Sequence, residues 1–166
     1  MKFKKIVEGY YTYDEGEDVG ILTLPYPDSQ VGTSTYSGFV RQYLQNFYDQ
    51  PDPTTRTKIG DINFASNYIA KTNTTDNKTR DFDQETAIIV LKDGIIQFSY
   101  GDSRDVRSDG FLQNTLPKYN TILGGTEKYL GIRGYVKIQR LSLENQIRRV
   151  EVFKECGSGY TITDLV

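Results

Sequence analysis

The chain has 166 residues, with 20 basic and 22 acidic side chains and a formal net charge of −2. That length suggests one domain, spanning 1–166, and is enough to bury a sizeable core. A hydrophobic share of 37% and a charged share of 25% fit a folded soluble domain, and the near-neutral balance offers no basic footprint for nucleic acid or an anionic membrane.

There is no histidine. This removes the commonest general base, the Ser-His-Asp and Cys-His arrangements, and the usual transition-metal ligand. Cys156 is the single cysteine and cannot form an intramolecular disulfide. Neither a metal nor a cofactor is called for. No stretch of about 18 apolar residues suggests a membrane span. Met1-Lys2-Phe3-Lys4-Lys5 leads into a polar, acidic segment rather than an apolar signal core, so a cytoplasmic location is expected. Asn73-Thr74-Thr75 and Asn77-Lys78-Thr79 match the glycosylation pattern, but without a secretion signal they read as a polar loop.

In chain order, Lys4 to Tyr13 is aromatic and β-branched and predicts a first strand. Asp14 to Asp18 is an acidic hairpin tip with no calcium-loop spacing. Val19 to Leu24 predicts a second strand, stopped by Pro25, Pro27 and Gly32. Residues 31–53 are the least regular stretch. Phe39, Val40, Tyr43, Leu44, Phe47 and Tyr48 recur at spacings of three and four, so an irregular or short-helical excursion is expected there. Lys58 to Thr72 alternates, with Ile62, Phe64, Ser66, Tyr68 and Ala70 on one face. Asn73 to Arg80 is a polar turn, and Phe82 to Leu91 a strand. Lys92-Asp93-Gly94 makes a hairpin turn with glycine at the strained position. Ile95 to Gly101 returns, followed by a charged loop, Asp102 to Gly110. Phe111 to Leu116 is a shorter strand closed by Pro117. The last two strands are Arg133 to Leu143, expected to be the longest, and Ile147 to Glu155.

About eight short strands with frequent turn signals and no βαβ alternation indicate an all-β sandwich or small barrel. Between the last three strands lies Gly124-Gly125-Thr126-Glu127-Lys128-Tyr129-Leu130-Gly131-Ile132-Arg133-Gly134, a glycine-rich reversal. Its order, two glycines and a threonine, then Lys-aromatic, then Gly-x-Arg-Gly, resembles a signature shared by plant dirigent proteins and allene oxide cyclases. The resemblance spans roughly Lys58 to Lys154 and, more loosely, the first two strands. Gly124 and Gly125 with Gly134 are its structural turn positions. It implies an eight-stranded antiparallel up-and-down barrel with an apolar lumen, assembled as a dimer or trimer.

The resemblance covers several activities. Dirigent proteins orient radicals for coupling, but they are secreted and disulfide-bonded. Plant allene oxide cyclases carry a glutamate and, two residues on, an asparagine in the first strand. Here Glu8 is followed by Tyr10, and Tyr10 by Thr12, so the pair is not reproduced. Bacterial spirotetronate cyclases, which fold a polyketide for a 4+2 cycloaddition, suit the chain by elimination. The implied function is a cofactor-independent cyclase acting on a hydrophobic polyene or unsaturated carbonyl substrate in the lumen. The alternative is a non-catalytic dirigent-like or lipocalin-like barrel that binds a hydrophobic ligand.

A barrel of this size has room for about one small ligand, so polar residues in phase with apolar ones are the site candidates. Arg140, in phase with Val136 and Ile138, and Tyr100, in phase with Ile96 and Phe98, are expected to polarise a carbonyl. Glu8 is a candidate catalytic carboxylate, although an exposed or paired carboxylate is its plainer reading. Tyr10, Ser66, Tyr68, Gln84, Phe98 and Ile138 are the candidate substrate contacts. For each tyrosine the plainer reading is a core ring whose hydroxyl finds a backbone partner. For Arg140 it is a strand-end charge reaching solvent. Packing of the lumen by Tyr and Phe rings is the observation that would count against any ligand there.

Overall fold

The computed structural model describes residues 2–12, 17–24, 34–73, 78–106, 117–141 and 147–156, with the backbone alone over 17–24, 34–41, 43, 66–73, 78–85 and 101–106. Nine strands account for most of them: β1 (Lys2–Thr12), β2 (Glu17–Leu24), β3 (Ser34–Tyr48), β4 (Lys58–Asn73), β5 (Lys78–Leu91), β6 (Gly94–Val106), β7 (Lys118–Gly125), β8 (Gly134–Arg140) and β9 (Ile147–Cys156). Among the described residues the single helical element is a 3-10 turn over Glu127–Tyr129.

Every pairing is antiparallel, and each strand from β2 to β9 pairs with its neighbour in sequence. The ring closes because β1 pairs with β9 from Lys2↔Cys156 to Thr12↔Ile147 and also meets β3 at Tyr10↔Tyr48. β2 continues along the same edge of β3, from Glu17↔Leu44 to Leu24↔Gly38. β1 and β2 therefore share one place in the ring, and nine strands make a closed eight-stranded barrel of sequential order.

Strand alternation fills the interior. Ile62 and Phe64 of β4, Ala87 and Ile89 of β5, Ile96 and Phe98 of β6, Val136 and Ile138 of β8, and Val150 and Val152 of β9 are all buried in one cluster. Their neighbours in sequence, such as Asp61, Asn63, Gln97 and Lys137, are half-buried or exposed. On β1 the buried positions are Gly9 and Tyr11, and a Cβ on Gly9 would stand 2.2 Å from the Phe47 ring.

The glycine-rich reversal closes one end. The backbone N–H of Thr126 donates to the Ile95 carbonyl (2.9 Å), and its hydroxyl accepts from the Ile95 N–H (3.1 Å). Lys128 forms an ion pair with Asp93 in the β5–β6 hairpin. Tyr129 and Ile132 turn inward and join the core. Burial raises the Tyr129 phenol above its ordinary range.

Several sequence expectations change. Residues 34–48 form neither an irregular stretch nor a helix but β3, a strand of 15 residues. Positions 39, 43 and 47, and likewise 40, 44 and 48, are spaced by four and so also keep one phase of a strand, and β3 has partners along both edges. The strand after the glycine motif is the shortest, with seven residues, whereas β4 is the longest with 16. Part of the expected Asp102–Gly110 loop belongs to β6, which runs to Val106. The proposed strand Phe111–Leu116 lies outside the described residues. Gly124 and Gly125 are the last residues of β7 rather than the turn itself. The reversal is made at Glu127 (φ 51°), Gly131 (φ 70°) and Gly134 (φ 144°). Gly125 is needed for close approach, since its Cβ would stand 2.5 Å from the Tyr129 carbonyl oxygen, whereas a Cβ on Gly124 would meet nothing within 4 Å.

The two kinds of glycine respond differently to substitution. At Gly134 a Cβ would stand 1.9 Å from the Phe153 carbonyl oxygen, on a backbone that L residues rarely adopt. Gly134→Ala is expected to cost at least about 1–3 kcal/mol. Gly124→Ala should change stability by no more than about 0.5 kcal/mol. Denaturant midpoints of the two variants check this, and equal midpoints would contradict the assignment of the turn.

Candidate functional site

The barrel interior divides into a packed floor and an upper layer. Near the capped end Phe47, Ile89, Ile96, Phe98, Val136 and Val152 have no exposed surface. Above them three rings form a chain across the interior. Tyr11 and Phe64 have centroids 5.5 Å apart, and Phe64 meets Tyr100 edge to face at 5.7 Å. The Lys118 ammonium lies 5.7 Å from the centre of the Tyr100 ring, within reach of a cation–π attraction.

The strand ends at this level carry positive charge. Lys118 is in phase with the buried Asn120 and Ile122 of β7, Arg140 with Val136 and Ile138 of β8, and Arg148 with Val150 and Val152 of β9. Arg140 pairs in register with Arg148, and Arg148 with Tyr11. All three cations are half-buried. β7, β8 and β9 stop here, whereas the backbones of β4, β5 and β6 continue for several residues past Phe64, Ala87 and Tyr100. Among the described residues, the three cations form a basic rim across the ring from the extended ends of β4 and β5. Asn120 adds a buried amide, whose Nδ2 donates to the Val136 carbonyl (3.3 Å).

The candidate residues divide accordingly. Arg140 and Tyr100 share the inward face at the rim, and Tyr100 is only 7% exposed. Phe98 and Ile138 belong to the packed core beneath. The backbone positions of Ser66 and Tyr68 are in phase with Phe64 on β4, but their side chains lie outside the described residues. Gln84, also described by its backbone alone, is in phase with the half-buried Thr86 and Ile88 rather than with the buried Ala87 and Ile89. The position in phase with the core is Glu85, the register partner of both Ser66 and Tyr100. Sequence reading also passed over Lys118, Asn120, Arg148 and the inward Gln45. The first three are visible as polar residues in phase with Ile122 or Val150, and Gln45 becomes visible once β3 is read as a strand.

Glu8 and Tyr10 stand on the opposite face of β1 from Gly9 and Tyr11, outside the lumen. They join Lys5, Lys137, Arg149 and Glu151 in a polar cluster on the barrel wall. Tyr10 donates to Glu8 Oε1 (2.8 Å), Lys5 pairs with Glu8, and Arg149 Nε lies 3.4 Å from Glu8 Oε1. Glu151, 5% exposed, receives Lys137 at 3.0 Å, Lys5 at 3.3 Å and Arg149 at 3.4 Å. The Lys5 and Tyr10 hydrogen bonds hold the Glu8 carboxyl below its ordinary range. Burial and the bond to Glu8 raise the Tyr10 phenol. For Glu151 burial pushes upward, but the Lys137 hydrogen bond and the charge of Arg149 outweigh it, and the net shift is downward. These paired carboxylates stay ionised at neutral pH, which suits a wall fastener better than a general acid.

No protein-family model matches the sequence, nor does any curated protein. Similarity appears at the level of structure. One pterocarpan synthase dirigent protein superposes with a TM-score of 0.48 and 11% identity, covering 92% of this chain and 87% of its own. A second gives 0.44 and 13%, with 92% of both chains covered. A pyocyanin demethylase gives 0.41 and 11%, over 89% of this chain and 99% of its own. These are likenesses of fold. Among the described residues no group of His, Cys, Asp and Glu could hold a metal ion, and no helix is long and apolar enough to cross a membrane.

The Glu151 cluster has a testable acid dependence. Its native pKa lies below the ordinary 4.5, so its stabilisation is full above that value and is lost as pH falls through the depressed native pKa. Glu151→Gln takes the carboxylate from Lys137, while Lys5 and Arg149 keep Glu8, and should cost about 1.5–3 kcal/mol at pH 7. The difference from wild type should shrink as pH drops below about 4.5. Denaturant melts at pH 7 and pH 3 measure both effects; a difference independent of pH would refute the assignment.

Proposed function

We propose that the barrel is a cofactor-independent cyclase that folds a hydrophobic polyene or unsaturated carbonyl compound above the packed floor and closes a ring in it. The observation that carries this reading is the basic rim. Arg140 and Lys118 stand with Tyr100 on the inward face, at the strand ends above an apolar interior. Ring formation needs reacting atoms held about 3–3.5 Å apart, which an aromatic-lined cup can supply. A cation directed at a carbonyl oxygen stabilises the charge that develops there. Neither step calls for a histidine or a nucleophile. Phe98, Ile138 and the contacting rings of Tyr11, Phe64 and Tyr100 pack the described lumen, which counts against a ligand at that depth and leaves the proposed substrate only the rim side of Tyr100. Tyr68 is assigned a positioning role by its phase with Phe64. Glu8 and Tyr10, on the outer wall, have no direct part.

The second reading is a hydrophobic-ligand carrier with the same site and no turnover. It shares the restriction to the rim side of Tyr100, since Tyr11, Phe64 and Tyr100 are buried against one another. A cytoplasmic location and assembly as a dimer or trimer belong to the same proposal, and light scattering at micromolar concentration tests the latter.

Turnover decides between the readings. Linear conjugated polyenones are incubated with the protein, and ring closure is followed as loss of polyene absorbance, with product stereochemistry read by chiral chromatography. Arg140→Met should lower kcat by up to about 2–4 kcal/mol if the cation acts in the transition state. Tyr68→Ala and Tyr100→Ala should instead raise KM or scramble stereochemistry. Parent rates in all three folded variants would refute the site. Binding by the wild type without conversion would leave the carrier.

A further inference from the structure

We propose that the free edge of β1, from Lys2 to Glu8, takes up an extended acidic segment of a partner protein as an added strand. β1 pairs with β9 over its whole length, but with β3 only at Tyr10↔Tyr48. Among the described residues its second edge, on the Lys2 side of Tyr10, meets no strand and receives no backbone hydrogen bond. The direction of its backbone groups follows from β9. The Glu155 N–H donates to the Arg133 carbonyl (2.8 Å), so the neighbouring Lys154 turns its own groups to β1, where it meets Lys4. Alternation then turns the N–H and C=O groups of Phe3 and Lys5 away from β9, to the free side. Both residues are exposed. A row of unpaired backbone groups of this kind is a template for strand addition.

The chemistry of the occupant follows from the charges on this edge. Lys4 stands directly opposite Lys154, and Lys2, on the same face, stands opposite Cys156. All three lysines are exposed, and among the described residues none of them has an ion pair. Like charges directly opposite repel, so carboxylates laid beside them are favourable. Glu155, the acid of these rungs, is the register partner of Phe3 and lies on the other face. There the edge presents the Phe3 ring, 41% exposed. The fitting segment therefore alternates acids, toward Lys2 and Lys4, with β-branched or aromatic residues, toward Phe3. A second copy of this edge is a poor occupant, because it would set lysines against lysines.

The test separates strand addition from simple charge attraction. The full chain, isotopically labelled at its amides, is titrated with a blocked hexapeptide of alternating Glu and Val. The comparisons are a Lys-Val peptide and a fully N-methylated Glu-Val peptide, which keeps the charge and has no backbone donor. Saturable shifts and slowed hydrogen exchange are expected at the Phe3 and Lys5 amides, with both comparison peptides about tenfold weaker or more. Phe3→Pro takes an N–H from the free edge and none from the β9 ladder, so the barrel still folds. It should bind the Glu-Val peptide about threefold to tenfold more weakly than Phe3→Val, which loses the same ring and keeps the N–H. Lys4→Gln should weaken binding about twofold to fivefold. Equal binding of the plain and N-methylated peptides would reduce the edge to a charged surface and overturn the proposal. So would equal affinity of Phe3→Pro and Phe3→Val, or fast exchange at Phe3 and Lys5 with the peptide saturating. Shifts at Phe3 that grow with protein concentration alone would make a second copy the occupant and overturn it too. None of these outcomes depends on turnover in the lumen.

Discussion

The seam between β1 and β3 holds by an exchange of volume. Gly9 has no side chain, and the Phe47 ring occupies the space a Cβ would need, 2.2 Å from its atoms. Beside it Tyr10 pairs with Tyr48, the single register pair joining these strands. Arg56 fastens the seam from outside, its guanidinium 3.9 Å from the centre of the Tyr48 ring and its Nη1 donating to Thr12 Oγ1 (3.3 Å). The rest of the architecture follows from that closure. An open sheet would leave β1 and β2 as its edges, with the Phe47–Tyr48 end of β3 uncovered. It would also separate Tyr11 and Arg148 on one side of the seam from Phe64 on the other, so neither the ring chain nor the basic rim would face a lumen.

Closure distributes polar chemistry unequally. Inside, the floor is filled to the point where Phe98 and Ile138 are pure packing, and polarity returns only near the strand ends. Outside, β1, β9 and β8 carry a dense ionic lattice centred on Glu151, flanked by stacked rings of Tyr135 and Phe153 with centroids 4.8 Å apart. Phe3 adds an edge-to-face contact with Tyr135 at 5.0 Å. A seven-residue strand such as β8 gains little from its own length. It is held instead between a packed interior and this outer lattice, which keeps the Arg140 backbone in place at the rim.

The antiparallel strand pattern was readable wherever alternation was strict. Ile62 and Phe64, Ile96 and Phe98, and Val136 and Ile138 all face inward as their spacing implies, and Tyr100 and Arg140 follow the same phase. Reading failed where one pattern admits two periods. The aromatics of β3 fit a helix as well as a strand, and only pairing with β2 and β4 decides between them. Phase also failed for Gln84, because the continuous apolar run at residues 87–91 does not say which alternate set faces in. Charge placement was harder still. A paired carboxylate was the plainer reading of Glu8, and Lys5 and Tyr10 stand near it on β1, but Arg149 and the Glu151 cluster reach it only by register across the β1–β9 seam. The glycine motif was legible as a reversal, but which glycine bends and which merely makes room depends on where Tyr129, Ile95 and Phe153 lie in space.

The pairing of Lys2 with Cys156 joins the two extremes of the described chain, and it has a kinetic consequence. β2 through β8 can zip as successive hairpins, each adding to the last. β1, although made first, has only Tyr48 of β3 to hold it until β9 arrives. During synthesis the aromatic face of β1 and the free edge of β8 must therefore wait for the final strand, and loop closure over nearly the whole chain precedes the contacts that reward it. This barrel is set to fold late and all at once, with its exposure to misassembly concentrated at one long-lived pair of unpaired edges.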